Sequence, residues 1–247
     1  SVAPQPFRDI LPTIKQDVPN PKGKIAIFTG CLLDFVYVDI ATDVVKALNM
    51  AGYIVEMPLG QACCGAPATY MGDVENAKKA AELNLNAMEA EKYDYIVSAC
   101  PTCTHALRDY VDFFKDDPEM LKKAEELRSK TFDFCKLVSM LGGLPDTGDG
   151  VPMKVTYHDS CHLNRYLGVT KEQRELLKAT KGVELIEMHD CDKCCGFGGS
   201  YSVKFPEMSA PILEEKINNI VASGADVVAV DCPGCLLQIR GGLDARG

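Results

Sequence analysis

Four things are missing from this 247-residue sequence, and each absence closes a class of function. No apolar run approaches the roughly 20 residues that a membrane-spanning helix needs, so no span is expected. No charged stretch followed by a short apolar segment opens the chain, so nothing reads as a secretory signal. Positive charge is short: 26 Lys and Arg face 35 Asp and Glu, a net charge of −9. That balance disfavours a nucleic-acid or anionic-membrane partner, either of which wants Lys and Arg gathered on one face. A G-x-G-x-x-G loop after a first strand is also absent, and with it any recognisable nicotinamide or flavin site.

What the chain does have is cysteine, twelve in all. A secreted disulfide scaffold is usually a much shorter chain with a thin core. Here apolar residues make up 47% and charged residues 25%, the balance of an ordinary globular protein long enough for one large or two small domains. Metal or redox chemistry in a reducing compartment, the cytoplasm, is the better reading. Residues 1–23 contain Pro4, Pro6, Pro12, Pro19 and Pro21 and no helical or strand period, so they read as an extended linker from something upstream; an ordinary processed N-terminus is the alternative.

The cysteines repeat. Cys31, Cys63-Cys64-Gly65 and Cys100-Pro101-Thr102-Cys103 are matched by Cys161, Cys194-Cys195-Gly196 and Cys232-Pro233-Gly234-Cys235. Cys161 follows Cys31 by 130 residues, Cys194 follows Cys63 by 131, and Cys232 follows Cys100 by 132. Five positions recurring with so small a drift indicate an internal duplication.

Short apolar runs precede each cysteine element: 24–28 and 154–157, 53–57 and 183–188, 95–98 and 226–230. Between them lie helical patterns. Val74, Ala77, Ala81, Leu85 and Met88 share one face behind Asp73 as N-cap, and Ile40, Val44, Ala47 and Leu48 form another. In the second half Leu213, Ile217 and Ile220 follow Ser209 and Pro211, which mark the expected helix start.

The fold class is therefore α/β, with two pseudo-symmetric repeated lobes, each a small parallel sheet flanked by helices. The expected domains are 24–150 and 151–247, related by an approximate two-fold and meeting near Leu144 to Val151, with residues 104–144 as joining helices. In such a sheet all loops after strands lie on one edge, where open α/β sheets bind ligands. Cys31, Cys63, Cys64, Cys100 and Cys103 are thus expected at one spot, and Cys161, Cys194, Cys195, Cys232 and Cys235 at another.

Five thiols exceed the four that a structural zinc ion or an ordinary cubane takes. The surplus points to an unusual iron–sulfur cluster or to one cysteine held back for reaction. Gly65, Gly196, Gly198 and Gly199 would let backbone N–H groups approach an anionic cluster, although a tight turn needs glycine too. Cys100 and Cys232 precede prolines suited to a first helical position, where a helix N-terminus favours thiolate. Cys135, in TFDFCKLVSML, reads as a buried small hydrophobe, and Cys191, in CDKCC, as a spare thiol near the second site. The second half also carries His158 and His162 where the first has Phe28 and Leu32. These imidazoles either donate to the second site or serve as local caps.

The repeated unit resembles the cysteine-rich CCG domain found in heterodisulfide reductase and in the iron–sulfur components of glycolate and glycerol-3-phosphate oxidases. The strings GCLLDFVY, YHDSCHLNRYLGV, CCGFGGSYSVKFPEMS and GADVVAVDCPGCLLQIRGGL are similar, more closely, to the iron–sulfur oxidoreductase components of bacterial L-lactate utilisation complexes. The resemblance covers about 24–243 and implies one [4Fe-4S] cluster of noncubane type on each five-cysteine set. It implies an electron-transfer component of a system oxidising L-lactate to pyruvate, the electron-transfer part of an L-lactate dehydrogenase type complex. A ferredoxin-like iron–sulfur protein is the implied partner, and APQPFRDILP resembles that partner's tail. A heterodisulfide-type disulfide reductase and a non-catalytic metal-stabilised scaffold are the competing readings.

Overall fold

The computed structural model describes residues 2–146, 148 and 150–247. It divides into two compact units, Ser1–Pro145 and Asp146–Gly247. The expected junction near Leu144 to Val151 includes Thr147 and Asp149, which lie outside the described residues.

The first unit contains strands β1 (Gly23–Ile27), β2 (Tyr53–Glu56), β3 (Tyr95–Ser98) and β4 (Thr131–Asp133). Its helices are α1 (Phe7–Ile10), α2 (Gly30–Phe35), α3 (Val38–Met50), α4 (Ala66–Tyr70), α5 (Val74–Met88), α6 (Pro101–Asp109), α7 (Pro118–Lys130) and α8 (Phe134–Met140). The sheet order is β2-β1-β3-β4, parallel throughout. The strands are short, and each connection between them carries helix, the crossover that parallel pairing requires. The core is the seam between sheet and helices. Ile25, Ala26, Ile27, Ile96 and Val97 of the central strands are fully buried, as are Ala77, Ala81 and Met88 of α5. Ala81 and Met88 share one core cluster with Ala26 and Ile96 of the central strands. Asp73 caps α5 by accepting from the Asn76 N–H, while Val74, assigned to the buried face, is exposed.

The second unit contains β5 (Met153–His158), β6 (Val183–Leu185) and β7 (Val227–Val230), in the order β6-β5-β7 and again all parallel. Its helices are α9 (Glu172–Ala179), α10 (Tyr201–Lys204), α11 (Pro206–Ala222) and α12 (Pro233–Arg246), with a π-helical turn over His162–Tyr166. The α/β class with two parallel sheets flanked by helices is as expected. Within each unit the first strand sits between the second and third, so both carry the same topology. No helix among the described residues is long and apolar enough to cross a membrane.

Three local expectations are corrected. The segment 104–144 is more than joining helix: Thr131–Asp133 adds a fourth parallel strand beside β3, too short to show a strand period. Helix α11 starts at Pro206, not Pro211, which lies inside it. Proline is favourable at the first helical position, and Phe205 before it, with φ of −132° and ψ of 57°, lies outside the helical region. The proline-rich start is not extended throughout. Phe7 and Leu11 are buried, the Arg8 side chain pairs with the fully buried Asp34, and Gln16 exchanges two 2.8 Å bonds with Val55 on the edge strand β2. A side chain thus occupies the backbone groups that an edge strand would leave open.

Candidate metal centre

Each cysteine element follows the C-terminal end of a strand. Cys31 and Cys161 come after β1 and β5, the paired cysteines after β2 and β6, and Cys100 and Cys232 after β3 and β7. Because the strands are parallel, these ends share one sheet edge, and residues dozens of positions apart meet there. Cys100 and Cys232 have extended backbone and stand as N-caps with Pro101 and Pro233 at the first helical positions. Proline has no N–H to lose there, so the helix begins directly behind the thiol.

The thiols make a continuous hydrogen-bonded series in each unit. In the first, Cys31 bonds Cys63, Cys63 bonds Cys64, Cys64 bonds Cys103 and Cys103 bonds Cys100. The second repeats that order through Cys161, Cys194, Cys195, Cys235 and Cys232. None of the twelve cysteines, all of them among the described residues, is in a disulfide. Cys31, Cys63 and Cys194 are exposed, Cys161 is half-buried, and Cys64, Cys100, Cys103, Cys195, Cys232 and Cys235 are buried.

Proton sharing within each series concentrates negative charge on one sulfur. Cys63 is drawn down to about 2 by S–H donation from Cys31, then from Cys64, and by the N–H groups of Gly65 and Cys64. Cys194 is drawn down to about 2 by donation from Cys161, then from Cys195, helped by the Gly196 N–H at 3.3 Å. Their donors move the other way: the bond to Cys63 and then burial raise Cys31, and the bond to Cys194 and then burial raise Cys161. For Cys64 the bond from Cys103 pulls downward, but the bond to Cys63 and burial outweigh it and leave the thiol at about 12. Cys195 is pushed up to about 12, first by its bond to Cys194, against the pull of Cys235. Each edge therefore presents a thiolate set among thiols that release their protons when a metal replaces them.

Glycine makes the approach possible. Gly65 and Gly196 have φ of +80° and +84°, a conformation that side chains rarely adopt. A Cβ at Gly65 would lie 3.2 Å from the Ala77 carbonyl oxygen, and one at Gly196 would lie 2.8 Å from that of Ser209. The paired cysteines are thereby pressed against α5 and α11. Ser209, expected near a helix start, instead donates its hydroxyl to the Gly196 carbonyl at 2.8 Å.

The surroundings of the two sets differ. His158 ends β5 at 1% exposure, and neither ring nitrogen has a hydrogen-bond partner among the described residues. One ring nitrogen and the sulfurs of Cys195 and Cys235 lie within 4.8 Å of one another. Burial, and then the nearby Lys216 charge, pull its pKa down to about 4. The first unit has Phe28 there, fully buried. His162 stacks on Tyr166 with ring centroids 5.2 Å apart. Cys191 donates to Asp159 at 3.3 Å, and Asp159 is held by two Arg174 bonds of 3.0 and 2.7 Å. Cys135 is half-buried rather than buried; it is the second residue of α8, and its N–H donates to the Asp133 cap.

Sequence reading missed the polar groups that carry the loops. Asn84 donates to the Cys63 carbonyl and to the Tyr110 hydroxyl, both at 2.9 Å, and accepts from the Ala62 N–H at 2.8 Å. Tyr110 donates to the Cys64 carbonyl at 2.9 Å. In the second unit Lys216 donates to the Asp190 and Cys191 carbonyls, and Arg174 donates to the Asp159 and Glu187 carboxylates. Asn84 and Lys216 are 132 residues apart, a register that the repeat itself supplies.

A soft, thiolate-rich donor set of this kind fits a thiophilic metal or an iron–sulfur centre and not a hard cation. The buried His158 nitrogens, which no group among the described residues satisfies, fit a group occupying the second edge.

The family model described as a cysteine-rich domain, CCG, matches residues 25–108 and 155–240. The chain is 39% identical over 224 residues to Lactate utilization protein A of Shouchella clausii, covering 90% of this chain and 92% of that protein. It is 38% identical to the protein of that name from Bacillus velezensis and 37% identical to that from Bacillus subtilis, each covering 90% of this chain and 93% of the relative.

Proposed function

The chain belongs to the CCG cysteine-rich domain family, and from that premise we propose that it is an iron–sulfur electron-transfer component of a cytoplasmic system oxidising L-lactate to pyruvate. The observation that carries this reading is the five-thiol series, hydrogen-bonded in the same order in each unit. Cys31, Cys63, Cys64, Cys100 and Cys103 would hold one [4Fe-4S] centre of noncubane type, within 24–150. Cys161, Cys194, Cys195, Cys232 and Cys235 would hold the other, within 151–247. Such a centre accepts and returns single electrons at a potential set by its ligands, hydrogen bonds and surrounding charge.

The protein's own part is to keep the sulfurs together, deprotonated and largely out of water. The strand ends and helix starts fix the cysteine backbones, the positive-φ glycines bring the paired cysteines against a helix, and neighbouring thiols yield their protons on loading. His158, neutral at ordinary pH and without another partner among the described residues, would present a nitrogen to the second centre. A ferredoxin-like iron–sulfur protein is the partner that would pass electrons onward.

Anaerobic reconstitution followed by iron and acid-labile sulfide analysis tests the centres. Both elements at each site support the reading, whereas zinc without sulfide would leave a scaffold. Reduction of the loaded chain by lactate in the presence of its partner proteins, and not by lactate with the chain alone, tests the relay. A second reading, reduction of a disulfide substrate, is favoured by the exposure of Cys63 and Cys194, the two strongest thiolates. Thiol-dependent and not lactate-dependent reduction would select it.

A further inference from the structure

Lys216 is the most fully buried cation of the described residues, at 1% exposure. Its ammonium donates to the carbonyl oxygens of Asp190 at 2.6 Å and Cys191 at 3.2 Å. No carboxylate of the described residues lies within ion-pair distance of it. Burying an ammonium without a counter-ion is costly, and two carbonyl bonds offset only part of that cost.

The first unit performs the same structural task without a charge. The glycines after the paired cysteines meet Ala77 in one unit and Ser209 in the other, 132 residues apart. In that register Lys216 stands where Asn84 does. Asn84, fully buried on α5, also holds the loop by donating to a backbone carbonyl, that of Cys63. A neutral amide thus suffices to support such a loop. The ammonium on α11 brings something an amide cannot, a positive charge felt by Cys191, Cys195 and His158, and by the Asp192 and Asp190 carboxylates, which stand beyond ion-pair distance.

We propose that Lys216 is a charge-setting residue of the second thiol site: a buried cation that stabilises the added negative charge when this site is reduced, making it the more oxidising of the two. The proposal rests on the reading that both sites hold iron–sulfur centres. Loading the thiol set introduces anionic charge, and each electron gained adds one more unit. In the loaded protein the anionic centre would supply the counter-charge that no carboxylate supplies to Lys216 at ion-pair distance, and that attraction gives the second site a preference for electrons over the first. The neutral Phe28 and Asn84 give the first site no such preference.

The test is redox titration of the anaerobically reconstituted full chain, followed spectroscopically. The two sites are assigned by the signals lost in Cys63→Ser and Cys194→Ser. In the wild type the second site should titrate above the first. Lys216→Gln keeps an N–H donor but removes the charge. It should lower the reduced-to-oxidised ratio of the second site about tenfold at a given potential, a shift of about 59 mV for a one-electron couple. The first site should not move. Lys216→Arg keeps the charge and should leave the second site near its wild-type potential, which a role confined to loop support would not predict. Equal titration of Lys216→Gln and wild type, or equal shifts in the Gln and Arg variants, would overturn the proposal. If Lys216→Gln loads no second centre, the wild-type order decides, and a second site titrating below the first overturns it. A wild type holding neither iron nor sulfide defeats the underlying reading. Centres present but indifferent to Lys216 defeat only the inference.

Discussion

The two units solve one geometrical problem with different chemistry. Around the first thiol series stand a phenyl ring (Phe28), an amide (Asn84) and a phenol (Tyr110), all buried and all neutral. Around the second stand an imidazole (His158), an ammonium (Lys216) and a guanidinium bonded to Asp159 and Glu187. Strand order, cysteine order and glycine conformation are shared. Duplication preserves what the backbone needs to bring thiols together, and the side chains behind the thiols are free to diverge, because they affect charge more than shape. The comparison therefore predicts similar loading of the two sites and dissimilar electrostatics.

The largest effect should come from the cysteines themselves. Cys63→Ser and Cys194→Ser each remove the strongest thiolate of one series. Each should lower bound iron and sulfide by about half, since a lost thiolate ligand weakens one site and leaves the other complete. A variant that empties both sites would break the picture of independent centres.

Acidification should separate the units next. A buried His158 with its pKa at about 4 binds its proton less readily in the folded protein than in the unfolded chain, where the value is about 6.5. The unfolded state therefore binds more protons between these values. Stability is complete above about pH 6.5 and falls as pH drops through 4, by at most about 3 kcal/mol. In metal-free protein this loss should be confined to the second unit. Denaturant unfolding at pH 7 and pH 4, wild type against His158→Phe, measures it. His158→Phe, which installs the residue type of the first unit, should flatten the dependence, and an unchanged slope would remove His158 as its source.

The glycines offer a subtler contrast. Gly65→Ala and Gly196→Ala both force alanine to positive φ, at a cost of roughly 1 to 3 kcal/mol. The added Cβ also meets backbone oxygen more closely at Gly196, 2.8 Å against 3.2 Å. Gly196→Ala should be the more destabilising by hydrogen exchange of the affected unit, and the reverse order would contradict the described loop geometry.

The smallest effect concerns Tyr110→Phe. It removes one bond to the Cys64 carbonyl and one acceptor for Asn84, a loss of about 1 kcal/mol from the first unit alone. Thermal unfolding followed by exchange in each unit would detect it. A change in the second unit would mean that the units do not unfold separately.

Parallel α/β architecture, the repeat and the five-cysteine sets were legible in the amino-acid order. All three are written at short range: runs of β-branched residues, helical spacing, and cysteines at nearly constant offset. The Cys-Cys-Gly element even announces its own backbone, since only glycine adopts φ near +80° readily at Gly65 and Gly196. Strand β4 and the Pro206 start of α11 were harder to read, because three residues show no period and two prolines offered competing starts. What only the tertiary structure decided is which polar side chains stand behind the thiols. Asn84 lies on a helix face otherwise filled with apolar residues and Lys216 lies beside Ile217 and Ile220, and nothing in their local sequence marks them as buried. Their burial depends on how α5 and α11 lie against their own sheets, and their role depends on carbonyl groups 21 to 26 residues away. Charge in a folded protein acts through space, so its consequences appear only when the chain has brought its strand ends together.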